Sequence, residues 1–143
     1  MSPPVYVVDT NVVVAGLLAA SPSSPVVLIL DAMLAGTLVY LLSPPLLAEY
    51  RSVLLRPKLT RRHGLTESEV DAVLSELAAN AMWREPGGGP SAPDPGDDHL
   101  WALLHAHAGS TLITGDRALL EAPIATGSVI GPGAWANTRT RPH

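Results

Sequence analysis

The sequence predicts an α/β domain built on a central, mainly parallel sheet of four to five strands. Three observations carry that expectation. Short apolar runs, chiefly Val5–Val8 and Thr37–Leu42, have the β-rich composition of strands buried on both faces. They alternate with longer segments bearing helix start and stop signals, the pattern of a parallel sheet with crossover helices. No composition shift interrupts the 143 residues, so a single domain over 1–136 and a polar, frayed tail over 137–143 are expected.

Each element has a local reason. Val5–Val8 ends at Asp9-Thr10-Asn11, and a mostly apolar segment, Val12 to Ala20, stops at the Ser/Pro stretch Ser21 to Pro25. Val26 to Ala35 reads as a helix closed by Gly36, and Thr37 to Leu42 as the second strand. Ser43-Pro44 supplies a hydroxyl N-cap followed by proline at the first helical position, starting a helix that runs to about Leu55 and stops before Pro57. Thr66 and Glu69 form a capping-box pattern for a helix reaching about Asn80. Ala81 to Arg84 is a weak strand candidate, and Glu85 to Gly96 a Pro/Gly-rich loop. Asp94-Pro95 opens a helix over Asp97 to Ala108, closed by Gly109. Thr111–Thr114 is a strand ending at Gly115-Asp116, Arg117 to Glu121 a helical turn, and Ser128–Ile130 a last strand.

Composition excludes several classes. There is no cysteine, hence no disulfide framework, thiol catalysis or thiolate zinc site, and a cytoplasmic location fits. Met1-Ser2-Pro3-Pro4 lacks the marks of a secretory signal, and Val26 to Leu42 is broken by Asp31 and Gly36, so no membrane span is expected. Net charge is −4, but Arg51, Arg56, Lys58, Arg61 and Arg62 crowd into twelve positions. A globally acidic chain can still present such a strip to phosphates.

The acids carry the chemistry. In a parallel sheet, ligands bind at the carboxyl ends of the strands. Asp9 ends the first strand, Asp116 lies just past the Thr111–Thr114 strand, Glu49 sits early in the helix after the second strand, and Asp98 in the first turn of the helix after the Pro/Gly loop. All four are expected on one edge. Singly, each has a plain alternative: Asp9, Asp94, Asp97 and Asp98 as helix-start acids, Glu49 as a solvated residue, Asp116 as a turn residue. Together they raise one another's pKa and call for countercharge. An all-oxygen set selects hard ions, Mg²⁺ or Mn²⁺, and suits metal-assisted phosphodiester hydrolysis.

Taken together, Val8-Asp9-Thr10-Asn11, Leu47-Ala48-Glu49-Tyr50, Asp94-Pro95-Gly96-Asp97-Asp98 and Thr114-Gly115-Asp116-Arg117 resemble the PIN-domain ribonuclease family. The subgroup they look most like is the VapC-type toxins of type II toxin–antitoxin pairs. The resemblance runs through residues 5 to about 135. It implies a three-layer α/β/α sandwich, cleavage of single-stranded RNA with Mg²⁺ or Mn²⁺, a homodimer, and inhibition by a cognate antitoxin. It places the metal-binding acids at Asp9, Glu49, Asp98 and Asp116, with Asn11, Thr114 or Ser43, and Asp97 in support. Two departures stand out. Many relatives carry an acid where this chain has Ala118, and an acid where it has Gly96. The first leaves one tightly held ion as the expectation, with Asp97 able to compensate in part.

Arg56, Lys58, Arg61, Arg62 and Arg117 are candidate RNA contacts, with a solvated surface stretch as the alternative. His105 and His107, two apart on a helix, point to different faces and make no zinc pair. His99 is expected at the surface or on a phosphate, and Trp83, Trp101 and Trp135 in the core or an interface. A haloacid-dehalogenase-type phosphatase needs a second acid where Asn11 stands and usually a lysine, of which Lys58 is the only one. A PIN-like binding module without activity is the other alternative, with Ala118 as its sign.

Overall fold

The computed structural model of the chain describes residues 3–85, 92, 94–122 and 127–140. In chain order its elements are β1 (Val5–Val8), α1 (Thr10–Leu18), α2 (Pro25–Ala35), β2 (Val39–Leu42), α3 (Pro44–Leu54), α4 (Pro57–His63), α5 (Glu67–Asn80), β3 (Met82–Trp83), a 3-10 turn at Pro95–Asp97, α6 (Asp98–Ala106), β4 (Thr111–Ile113), α7 (Arg117–Glu121), β5 (Ser128–Ile130) and α8 (Pro132–Thr140). The strands form one five-stranded sheet, ordered β3-β2-β1-β4-β5, in which every pairing is parallel. β1 lies at its centre. Val7, Val8, Tyr40, Leu41, Leu42, Leu112 and Ile113 have no exposed surface, which explains why these strands read as unbroken apolar runs.

Connectivity sets the layers. From β1 the chain steps outward through α1 and α2 to β2, and through α3, α4 and α5 to β3. It then returns across the sheet through α6 to β4 and continues outward the other way through α7 to β5. Right-handed crossovers put helices on opposite faces when the direction reverses, giving a three-layer α/β/α arrangement. Packing agrees: α1, α2, α3 and α5 pack on one another, α6 lies on β1 and β4, and α8 packs on α2. The crevice between β1 and β4 is therefore a topological switch point, where α/β sheets bind ligands.

Local chemistry explains the helix ends. The Ser43 hydroxyl accepts from Leu46 N at 3.3 Å with Pro44 at the first helical position, and Thr66 and Glu69 form both bonds of a capping box. Gly36 closes α2 at φ 74°, a conformation that favours glycine. Gly16 lets α1 and α2 touch: a Cβ there would stand 2.8 Å from Val26 O.

Four expectations are corrected. No helix was expected between Pro57 and Thr66, yet Pro57–His63 forms α4, begun by Pro57 and ended by Gly64 at φ 69°. The strand candidate at Ala81 to Arg84 shrinks to Met82–Trp83 at the sheet edge. α6 begins at Asp98, after the 3-10 turn, and ends at Ala106. The tail expected from 137 is helical through Thr140, because α8 anchors on the buried Trp135. Residues 86–91 and 93 of the Pro/Gly loop and 141–143 of the tail lie outside the described residues.

Candidate active site

Asp9 stands at the centre of the crevice. It follows β1 directly, caps α1 and is only 5% exposed. Its Oδ1 accepts from Thr10 N at 2.7 Å, and its Oδ2 accepts from the Thr114 hydroxyl at 2.8 Å and Asn11 Nδ2 at 3.2 Å. Burial pushes this carboxyl above its ordinary range; the hydrogen bonds from Thr114 and Thr10 pull it back, and Glu49 and Asp116 push it up again by like charge. A buried acid with three donors is oriented, not merely tolerated.

Asn11 ties β1 to β4 across the switch point. Its Nδ2 donates to Thr114 Oγ1 at 3.3 Å as well as to Asp9, and its Oδ1 accepts from Gly115 N at 2.9 Å. Thr114 is fully buried, and its Oγ1 also accepts from Asp116 N at 3.0 Å. Asp116 caps the short α7, its Oδ1 accepting from Ala118 N at 2.9 Å. Ala118 thus contributes its backbone to holding Asp116.

Glu49 reaches the same crevice from α3. The Thr10 hydroxyl donates to its Oε2, and His99 Nε2 lies 3.7 Å from its Oε1. Behind it the fully buried Tyr50 donates its hydroxyl to Val8 O, pinning α3 to the end of β1 one residue before Asp9.

Asp97, and not Asp98, lines the crevice, although the sequence reading set Asp98 there with Asp97 in support. Asp97 lines the crevice with Asp9, Glu49 and Asp116. Its carboxyl is pushed up to about 6, by burial first and then by Asp9, Asp94, Glu49 and Asp116. Asp98 is exposed and absent from the crevice lining; its Oδ1 accepts from Ala92 N at 2.8 Å and so holds the preceding loop. Consecutive helical residues diverge by about 100° around the axis, so only one of the pair can face the crevice. The 3-10 turn before α6 makes it Asp97.

The remaining candidates separate clearly. Neither Ser43 nor Thr114 lines the crevice itself; Ser43 caps α3, whereas the Thr114 hydroxyl donates to Asp9. Of the basic residues, Arg62 alone lines the crevice, whereas Arg56, Lys58, Arg61 and Arg117 are exposed outside its lining. Arg51 is engaged elsewhere, with Glu67 at 2.7 Å and Asp71 at 2.8 Å. His63 is structural: its Nδ1 accepts from Leu65 N, so Nε2 is the atom that donates to Leu54 O. His99, expected at the surface or on a phosphate, is partly buried beside Glu49, and its buried Nδ1 has no hydrogen-bond partner among the described residues. Trp101 and Trp135 are buried as expected, while Trp83 is 42% exposed.

A model of the PIN domain matches residues 5–118, which span β1 to the start of α7 and include all of these acids. The chain belongs to the PIN-domain family. The match stops short of β5 and α8, which the resemblance had been expected to reach. No curated protein matches the chain. PIN domains are typically nucleases, and they generally use divalent metal ions. Among the described residues of this PIN domain, no three His, Asp or Glu side chains form a ready-made metal-binding group. Asp9, Glu49 and Asp116 are instead turned to protein donors. Their chemistry nevertheless fits a hard dication: all the donors are oxygens, none is sulfur, and the concentrated negative charge favours an ion of charge two. Among the described residues no helix is long and apolar enough to cross a membrane.

Proposed function

We propose that this PIN domain is an endoribonuclease that hydrolyses single-stranded RNA with Mg²⁺ or Mn²⁺, its acids being Asp9, Glu49, Asp97 and Asp116. One observation carries the reading: four separate chain segments deliver carboxylates to one crevice at the switch point of the sheet. A bound ion supplies countercharge to the phosphodiester and an activated water. The chain's own residues do the positioning. Thr114, Thr10 N–H and Asn11 orient Asp9, the Thr10 hydroxyl and His99 flank Glu49, and Arg62 offers positive charge to a phosphate at the crevice wall. The resemblance to VapC-type toxins extends the proposal to a cytoplasmic homodimer held in check by an antitoxin.

The deciding experiment is cleavage of a single-stranded RNA in Mn²⁺ by the wild type and by Asp9→Asn, with circular dichroism to check the fold. Wild-type cleavage that vanishes on chelation and in the folded variant supports the reading. A folded wild type that leaves RNA intact with Mn²⁺ and Mg²⁺ overturns it. That result favours a binding module without activity, the reading of which Ala118 is the sign.

A further inference from the structure

The crevice that holds the acids is larger than a metal site needs. It encloses about 650 Å³, within the range of roughly 300–1,000 Å³ typical of small-molecule pockets. The acids occupy only part of its wall. Elsewhere it is lined by Val14, Leu18 and Val26 from α1 and α2 and by Val53 and Leu59 from α3 and α4, with Arg62 beside them. These apolar side chains are partly buried, not sealed in the core.

We infer that this aliphatic arm receives the unpaired base of a nucleotide flanking the scissile phosphate, with Arg62 on that nucleotide's own phosphate. The inference rests on the nuclease reading and adds a subsite to it. Charge complementarity identifies the occupant. The acidic part of the crevice repels phosphate unless countercharge is present, whereas the arm combines one cation with an apolar wall, matching the anionic and flat apolar parts of a nucleotide. A base enters such an arm only when freed from its partner strand, so the arm selects single strands. Among the described residues the arm has no aromatic side chain, and Arg62 is its one hydrogen-bonding side chain. The arm therefore accepts any base, and sequence preference must come from elsewhere.

The test is equilibrium binding of short fluorescent RNAs, read by anisotropy in Ca²⁺. An intact RNA is compared with the same RNA carrying abasic nucleotides. The wild type is expected to bind the abasic RNA on the order of tenfold more weakly, the scale of a misfit in an apolar pocket. Val14→Asn and Leu59→Asn, two independent changes at partly buried positions, should bind intact RNA more weakly and lose most of that difference. Arg62→Gln should keep the difference and lower the salt dependence of binding by about 0.7 in log–log slope, the share of one phosphate contact on a single strand. Equal affinity for intact and abasic RNA, or an undiminished difference in both asparagine variants, overturns the subsite even when the wild type cleaves RNA. A wild type that neither binds nor cleaves RNA overturns the nuclease reading, and the subsite with it.

Discussion

Asp97 offers a direct measure of the charge gathered in the crevice, through the stability of the metal-free protein. Its carboxyl is raised from 3.8 to about 6, burial being the first cause and the neighbouring acids the next. A carboxyl whose folded pKa is raised binds its proton more tightly in the folded chain. It therefore contributes nothing unfavourable below the unfolded value. It destabilises the fold progressively as pH rises from about 4 through about 6, and fully above that. Taken at face value, the shift corresponds to about 3 kcal/mol at roughly 1.4 kcal/mol per unit. Asp97 is only partly buried, and solvent screening brings the expected effect down to about 1 kcal/mol. Asp97→Asn removes the charge and keeps the shape. In EDTA at pH 7.5 the variant should melt about 3 °C above the wild type, as that increment implies for a domain of this size. At pH 4 the two should melt together, and Mg²⁺ should raise the wild type more than the variant. A variant no more stable than the wild type at pH 7.5, or a gain of equal size at pH 4, would refute the electrostatic account.

Three other perturbations probe separate parts of the structure. Asp97→Asn should reduce Mn²⁺-dependent RNA cleavage by more than the roughly 10–100-fold typical of outer-shell changes, while Asp98→Asn, whose amide oxygen can still accept from Ala92 N, should stay near wild type; the reverse ranking in a gel-based cleavage assay restores Asp98 as the metal-side acid. Tyr50→Phe leaves Val8 O without its buried donor and should cost about 1–3 kcal/mol in urea unfolding; no change in the midpoint would mean that the bond contributes little. Gly16→Ala places a methyl 2.8 Å from Val26 O and should destabilise by about 1–3 kcal/mol, read by thermal melting, unless α1 and α2 separate without cost.

What the sequence made legible was whatever has a local cause. The fully buried strands, the Ser43-Pro44 start, the Thr66–Glu69 capping box and the Gly36 stop each depend on neighbours a few positions away, and each stands where it was expected. α4 was missed because Pro57 was read as ending a helix, when proline also begins one; Gly64 was the available signal. α8 was missed because its polar residues masked a single anchor, Trp135. Strand ends and parallel order brought Asp9, Glu49 and Asp116 to one edge, but a choice between adjacent acids depends on helix phase. The 3-10 turn at Pro95–Asp97 sets that phase, and no residue pattern announces it. The partners of Thr10, Tyr50 and His99 could not be read because they lie 39, 42 and 50 positions away. Their adjacency to Asp9, Glu49 and Asp98 was the only hint.

The central place of β1 between β2 and β4 has a consequence for biosynthesis. Asp9 leaves the ribosome 105 residues before Thr114, whose hydroxyl helps to orient it. Until β4 slots in beside β1, a growing chain holds Asp9 with its local donors but without the Thr114 bond. Products interrupted before Thr111 therefore lack both β4 and the Thr114 donor that completes the surroundings of Asp9.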